Sequence, residues 1–502
     1  MQPRSAIAWI SQRAYDGALP FHPPAQYPEL GFLPAATDPG NAIYAGVRDL
    51  LAGLGYDAAR AGTPAWSPLS DLVRPGGTVV VKPNYVRHYH EQDGPFDAVV
   101  THISVLRPLL DYALLAVGAA GRVIVADAPQ YDCDVAQLLA KTRLPELLRW
   151  YAETLGRRIE WRDLRVQYGR HERGVVVERQ QLPGDPDGYQ AVDLGGASEF
   201  TSMAAHELDL LRGADYDEEV TIRHHSRGRN EYLVAKTVLG ADLVINVPKI
   251  KSHKKTGVTL SMKNLIGING DKNWLPHYRA GFAVGGGDEF PTPDLYARMR
   301  RIGGEVARRL LKRGIGGALF RRLREIEDAS GLGDRARNGN WWGNDTIWRT
   351  TIDLNKVLYC GDAAGNLQGP PARRVLNVYD GVIAGERDGP MAPSPRPEGL
   401  LAAGEDGVAT DIVVAWLMGF DWRRIPVLRH ALGPLAGGVR ISAFDGDPAA
   451  LRVVWIDAAG VRETRLSEIT TDLHFEAHPG WKGRIERRPA PGEGRDPIAC
   501  AS

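Results

Sequence analysis

Apolar runs that stop abruptly at polar residues mark the first recognisable elements of the chain. "GGTVVVKPNYV" and "AGRVIVADAPQ" each hold such a run, ending at Lys82 and Asn84 in the first and at Asp127 in the second. This is the pattern of strands covered on both faces. Between them, "ISVLRPLLDYALLAVGAA" spaces its apolar residues as a helix does, so the three segments predict a strand-helix-strand unit. "ADLVINVPKI" predicts a third buried strand, "TIDLNKVLYCGDAAG" a fourth, and "DIVVAWLMGF" a helix. An α/β fold with a mostly parallel sheet covered by helices follows. Ligands in such sheets gather at the carboxyl ends of strands, where Lys82, Asn84, Asp127, Lys249 and His253 all fall.

The remaining stretches divide the chain. Residues 1–75 are expected to pack as an N-terminal segment on a core whose first part is 76–156. Residues 157–230 are polar, with short strand-like pieces, and read as an inserted subdomain. The second part of the core, 231–440, carries a basic loop and several acidic loops. Between 441 and 486, "GVRISAFDG", "LRVVWIDAAG" and "VRETRLSEI" alternate as short strands of a β-rich extension, and 487–502 have the composition of a disordered tail. Residues 297–327 are basic and amphipathic; a solvated helical hairpin over the core is expected in preference to a membrane- or partner-binding face.

Composition narrows the function classes. A chain of 502 residues exceeds one ordinary hydrophobic core and calls for two or three domains. Lys plus Arg and Asp plus Glu each total 61, so no global field draws nucleic acid or an anionic membrane, and any electrostatic function is local. No run is long enough to span a bilayer, and the N-terminus lacks a signal-peptide pattern. The expectation is a cytoplasmic protein with a small anionic ligand, no nucleic-acid or membrane partner, and room for homo-oligomerisation. Cys133, Cys360 and Cys500 lie far apart without CxxC spacing. They read as buried free thiols rather than a disulfide, a four-thiolate zinc site or an iron-sulfur cluster.

Against the balanced charge, residues 244–274, "VINVPKIKSHKKTGVTLSMKNLIGINGDKNW", hold one His and six Lys. Pro248 is expected to end the strand, leaving the lysines on a loop at its tip. There Thr256 and Gly257 would let backbone N–H groups approach an anion, with Lys249, Lys251 and Lys255 supplying charge. Lys82, Asn84 and Asn264 complete the expected anion-binding set. A soluble edge loop is the plainer alternative, but the admixture of Gly, Thr and His and the following "DKNWLPHYRAG" suit a pocket rim. His253, flanked by lysines, is expected to stay neutral and to serve as general base or metal ligand. Lys263, among Leu, Met, Asn and Ile, is a candidate for covalent or proton-transfer chemistry, or for pairing with phosphate. Asp345 in "GNDTIW", Asp380 in "YDGVIAGERDGP", and Asp411 are candidate ligands for Mg²⁺ or Mn²⁺, with Asp380 also a catalytic carboxylate. Helix caps and ion pairs are the alternative. "AVGGGDEFP", with Asp288 and Glu289, reads as a glycine lid or a surface turn.

The motifs also carry a resemblance. "VVVKPNYV", the lysine-rich stretch, "GNDTIWRTTIDLNKVLY", "YDGVIAGERDGPMAP" and "GVATDIVVAWLMGFD" resemble the bacterial and archaeal family called domain of unknown function 362, across roughly residues 75–430. Many members carry ferredoxin-like cysteine motifs that this chain lacks, so their redox role does not transfer. A more distant resemblance is to lactate racemases, which use a nickel-pincer nucleotide. "SHKKTGVTLSMKNLIGI" places His253 ten positions before Lys263, similar to the racemases' histidine ahead of the lysine that holds their cofactor. Where those enzymes have "DxTRP" and "GxH", this chain has "VKPN" and "DAP", so the resemblance implies a shared fold and pocket position rather than the same reaction. Together these readings point to an enzyme acting on a carboxylate, phosphate or sugar nucleotide by acid/base chemistry, either isomerase- or epimerase-like or metal-assisted. The alternative is a non-catalytic protein that holds an anion or a nucleotide cofactor in the same pocket.

Overall fold

In the computed structural model, residues 4–487 are described except 173–174, 214–216, 227, 313–321, 323–337, 370 and 372. The architecture is a mixed, mostly parallel sheet of twelve strands with helices on both faces. In chain order the strands are β1 (Arg4–Trp9), β2 (Thr78–Pro83), β3 (Arg122–Asp127), β4 (Glu160–Asp163), β5 (Leu243–Val247), β6 (Lys249–His253), β7 (Gly257–Thr259), β8 (Arg374–Asp388), β9 (Ala392–Arg396), β10 (Leu400–Gly404), β11 (Arg452–Asp457) and β12 (Gly460–Arg465). Across the sheet they run β12-β11-β1-β10-β8-β5-β2-β3-β4, with β6 and β9 also paired to β8 and β7 paired to β6. The C-terminal hairpin β11–β12 therefore extends the main sheet beside β1. Glu160–Asp163 forms the outermost strand at the other end, and residues 167–235 then supply small two-stranded pairs of their own.

Continuous apolar runs make the central strands because both faces are covered. Along β2, Val79 and Val81 face the core built with helices Ala42–Gly53 and Ile103–Val117, while Val80 faces the core built with Ile347–Cys360 and Gly407–Leu417. Parallel pairing of β5 with both β2 and β8 sets Asn246 between Lys82 and Asn377. Polar side chains are thereby lined up across the carboxyl ends of β2 and β5 and the first part of the long strand β8.

Two expected elements take a different form. Pro248 does not end the sheet: its carbonyl accepts from the Asp380 N–H at 2.9 Å, and the chain resumes as β6 beside the far half of the long strand β8. Lys249 and Lys251 thus stand on a wholly buried strand, while Lys254 and Lys255 lie in the β6–β7 turn. The segment expected as a fourth strand, "TIDLNKVLY", lies inside helix Ile347–Cys360. Ile352, Leu354, Lys356 and Leu358 imitate a two-residue alternation, but the preceding Ile347 and Trp348 extend the apolar pattern on a helical period.

Helix Leu295–Lys312 covers the first part of the expected basic hairpin; the rest, and the C-terminal tail with Cys500, lie outside the described residues. Cys133 and Cys360 are buried free thiols. No described helix is long and apolar enough to cross a membrane.

Candidate functional site

The end of β2 and the end of β3 place a buried ion pair. Lys82 Nζ lies 2.8 Å from an Asp127 carboxylate oxygen. The same carboxylate accepts from the backbone N–H groups of Tyr85 (2.8 Å) and Ala128 (2.9 Å), donors released where the strands stop. Gly267 closes over this pair, its carbonyl accepting from Ala128 N–H at 2.9 Å. A Cβ at Gly267 would fall 2.1 Å from Asp127 Oδ1 and 2.6 Å from Lys82 Nζ, so the approach requires glycine.

Alternation along β6 puts Lys249, Lys251 and His253 on one face, and all three are buried. Lys251 Nζ donates to the carbonyls of Val99 and Pro390 rather than to a carboxylate. Burial, reinforced by the charges of Lys249 and Lys263, holds its pKa well below that of an ordinary lysine. His253 Nδ1 accepts from the backbone N–H groups of Lys255 (2.9 Å) and Thr256 (3.2 Å). Burial first, and then the charges of Lys263, Lys254, Lys251 and Lys255, keep the ring neutral. With the Nδ1 lone pair engaged, the ring proton resides on Nε2. His253 is therefore neutral, as expected, but the geometry suits a hydrogen-bond donor and not a general base.

Lys263 stands on the one-turn helix Ser261–Asn264. The first two N–H groups of that helix, Ser261 (2.8 Å) and Met262 (3.0 Å), donate to the Asp411 carboxylate, which also accepts from the Tyr379 hydroxyl at 2.6 Å. Asp411, its pKa raised to about 6 by burial, thus anchors the segment that carries Lys263. Burial and then the charge of Lys82 lower the Lys263 ammonium to about 8. Lys272, donating to the Asn269 carbonyl at 3.1 Å, is lowered to about 7 by burial, with Asp127 opposing. His277 donates through Nδ1 to the Leu275 carbonyl at 2.8 Å and is held near 3, chiefly by burial.

These groups surround a cavity of about 230 Å³. Its lining includes six lysines, Lys82, Lys251, Lys254, Lys255, Lys263 and Lys272, together with Arg87, against the two carboxylates Asp127 and Glu91. Arg87 is itself paired with Glu91 and Asp132. The arrangement can hold an anion, donate from a neutral imidazole, and move a proton through an amine that titrates near neutrality.

Of the residues singled out from the sequence, Lys82, Asn84, Lys251, His253, Lys255, Lys263 and Asn264 line this cavity, whereas Lys249, Thr256, Gly257 and Asp380 do not. Lys249 Nζ donates to Asp380 at 3.0 Å and to the Tyr15 hydroxyl at 2.6 Å. Asp380 also accepts from the His102 N–H at 2.9 Å, completing a buried cluster apart from the cavity. Thr256 Oγ1 donates to the Val258 carbonyl at 2.9 Å. Gly257 serves the β6–β7 turn with φ +82°, its Cα facing the Trp481 ring. The candidate metal ligands do not converge. Asp345 accepts from Trp348 Nε1 at 2.8 Å and pairs with Arg349 at 3.1 Å, far from the Asp380 and Asp411 networks in bonding terms. Among the described residues, no group of three or more His, Cys, Asp or Glu is arranged to hold a metal. Asp288 and Glu289 are buried and accept from the backbone of Arg279 and Gly281, whereas the preceding Ala283–Gly285 form an exposed turn, so the segment is a surface turn anchored by its two carboxylates. Sequence reasoning passed over Lys272 and His277 as individual groups, although both lie in "DKNWLPHYRAG"; Arg87 and Asn340 carried no local signal.

Residues 169–416 match the model of the family described as Domain of unknown function (DUF362), which supports the family resemblance carried by the motifs. The chain is similar to the Thylakoid-associated protein sll1697 of Synechocystis, 24% identical over 231 residues. That alignment spans 45% of this chain and 47% of the relative, so the chain matches about half the relative's length. A crystal structure of a Thermotoga maritima protein aligns over 72% of this chain and 56% of its own at 11% identity, with a TM-score of 0.30.

Proposed function

We propose that this chain, matched to the DUF362 family, is an enzyme that acts by acid/base chemistry on a small anionic substrate, a carboxylate, phosphate or sugar nucleotide. The observation that carries the reading is the cavity in which six lysines and Arg87 face two carboxylates. Such an excess of cationic groups in a partly water-excluded cleft favours an anion. Lys251, Lys255 and Lys263 are assigned to holding its charge. Lys272, titrating near 7, is assigned the proton transfer, because an amine with that pKa is divided between acid and base at neutral pH. His253 donates from Nε2 to the oxygen on which charge develops, and its lowered pKa keeps it a neutral donor around neutral pH.

Native mass spectrometry of protein purified from its own host identifies the co-purifying anion. Incubating that compound with the protein in deuterium oxide and following its proton spectrum then tests the chemistry. Deuterium should enter a carbon-bound position of the substrate, and Lys272→Met should suppress the exchange while the compound still binds. Binding with neither exchange nor turnover would instead identify a non-catalytic anion-binding protein.

A further inference from the structure

The wall of the same cavity holds buried oxygens that no group among the described residues satisfies. The backbone of Asn84 is fixed by Thr101: Asn84 N–H donates to Thr101 Oγ1 at 2.9 Å and Thr101 N–H donates to the Asn84 carbonyl at 3.2 Å. Its side chain ends a directed relay of amides. Asn84 Nδ2 donates to Asn264 Oδ1 (2.8 Å), Asn264 Nδ2 to Asn246 Oδ1 (2.8 Å), and Asn246 Nδ2 to Asn377 Oδ1 (2.9 Å). Backbone carbonyls set the direction. Asn377 Nδ2 donates to Gly404 O (3.1 Å) and Glu405 O (3.3 Å), and Asn246 Nδ2 donates to Ser261 O (3.1 Å). A carbonyl only accepts, so neither amide can turn over, and the order passes down the relay to Asn84. Asn84 Oδ1 is thereby presented as an acceptor, buried and without a partner. Thr259 Oγ1, Gln130 Oε1 and Asn340 Oδ1 are likewise buried and unpartnered, and all four residues line the cavity. Asn84 is 8% and Thr259 3% exposed.

Buried acceptors in a site are matched by donors from whatever fills it. Bare carboxylates and inorganic phosphate offer the lysines charge but bring few donors. We propose that the pocket takes a polyhydroxylated anion of the sugar-phosphate class, with its charge on the lysines and its hydroxyls donating to Asn84 Oδ1 and Thr259 Oγ1. This inference rests on the anion-binding reading above and adds to it the part of the ligand that the charges do not see. Asn84 and Thr259 are on this account specificity-determining residues.

Calorimetric titration with inorganic phosphate, propyl phosphate, glycerol 3-phosphate and ribose 5-phosphate separates the two layers. Wild-type protein should bind glycerol 3-phosphate about tenfold or more tightly than propyl phosphate, since each unmatched acceptor is penalised on that scale. In Thr259→Val, which loses only an unpartnered hydroxyl, and in Asn84→Leu, that ratio should fall about tenfold, the share of the one acceptor removed. Thermal melts establish folding, and Thr259→Val keeps the test decisive if Asn84→Leu fails to fold. Equal affinity for propyl and glycerol phosphate, with inorganic phosphate bound, overturns this inference and leaves the anion reading standing. A preference unaltered in Thr259→Val and in folded Asn84→Leu overturns the assignment of these residues. Failure to bind any of the four phosphates overturns this inference and confines the anion reading to carboxylates.

Discussion

Sulfate binding at pH 8 should draw protons from solvent, because two of the lysines that receive it are partly uncharged in the free protein. Burial and Lys82 lower Lys263 from 10.5 to about 8, so at pH 8 it carries about half a proton's charge. Lys272, at about 7, is only about one-tenth charged there. The displacement of Lys263 corresponds to at most about 3 kcal/mol disfavouring its ammonium in the empty pocket, which a bound dianion offsets. If the anion restores Lys263 alone, uptake is about 0.5 proton, and if it restores Lys272 as well, about 1.4 protons, with Lys251, also lowered by burial, adding to either figure. Sulfate is the suitable probe because it does not itself titrate near pH 8. Calorimetric titrations in buffers of different ionisation enthalpy give the uptake as the slope of the observed enthalpy. Lys263→Met should lower that slope by about half a proton, and affinity for sulfate should fall as pH rises past 8. Binding with no buffer dependence, or an uptake unchanged in Lys263→Met, would refute the account of the pocket as a store of depressed lysines.

Lys272 gives a companion effect on stability. Its folded pKa lies near 7 and its ordinary value is 10.5, so between those pH values the unfolded chain binds the extra proton and the ligand-free protein gains stability as pH rises, by up to about 1.4 kcal/mol per unit. Thermal melts across that window should show a shallower rise in Lys272→Met. Asp380→Asn strands the buried Lys249 and should cost about 3–5 kcal/mol in denaturant unfolding, with sulfate binding by the folded protein retained; lost binding at unchanged stability would instead put Asp380 in the site. Gly267→Ala sets a methyl against the Lys82–Asp127 pair and should destabilise by about 1–3 kcal/mol while weakening sulfate binding; a variant matching wild type in both measurements would contradict the close approach.

The parallel strands were legible because burial on both faces writes itself as uninterrupted Val and Ile, and the abrupt stops at Lys82 and Asp127 marked the end of the sheet where the cavity opens. The acidic residues were less so. Asp345 and Asp411 look alike in sequence, and only the fold reveals that one holds arginines and an indole while the other receives the first N–H groups of the helix bearing Lys263. Lys272 lay in view within the lysine-rich stretch, but its chemistry comes from burial, which residue type alone does not encode.

The lysine run is where sequence and structure part for a stated physical reason. Lysine is rarely buried without compensation, so a segment with this many charges reads as solvated unless its acceptors are known. Those acceptors come from distant parts of the chain: Asp380 stands 131 positions after Lys249 and Val99 stands 152 before Lys251. One local signal did survive. In "KIKSH" the charged residues alternate with Ile250 and Ser252, the period of a strand. That alternation also sorts the charges by distance along β8. Lys249, opposite Asp380, is neutralised by it, whereas Lys251, opposite Gly385, meets only carbonyls. Strand register therefore decides which lysine is structural and which is left to meet an anion, and Asp380→Asn and Lys251→Met should separate accordingly into loss of fold stability and loss of sulfate binding.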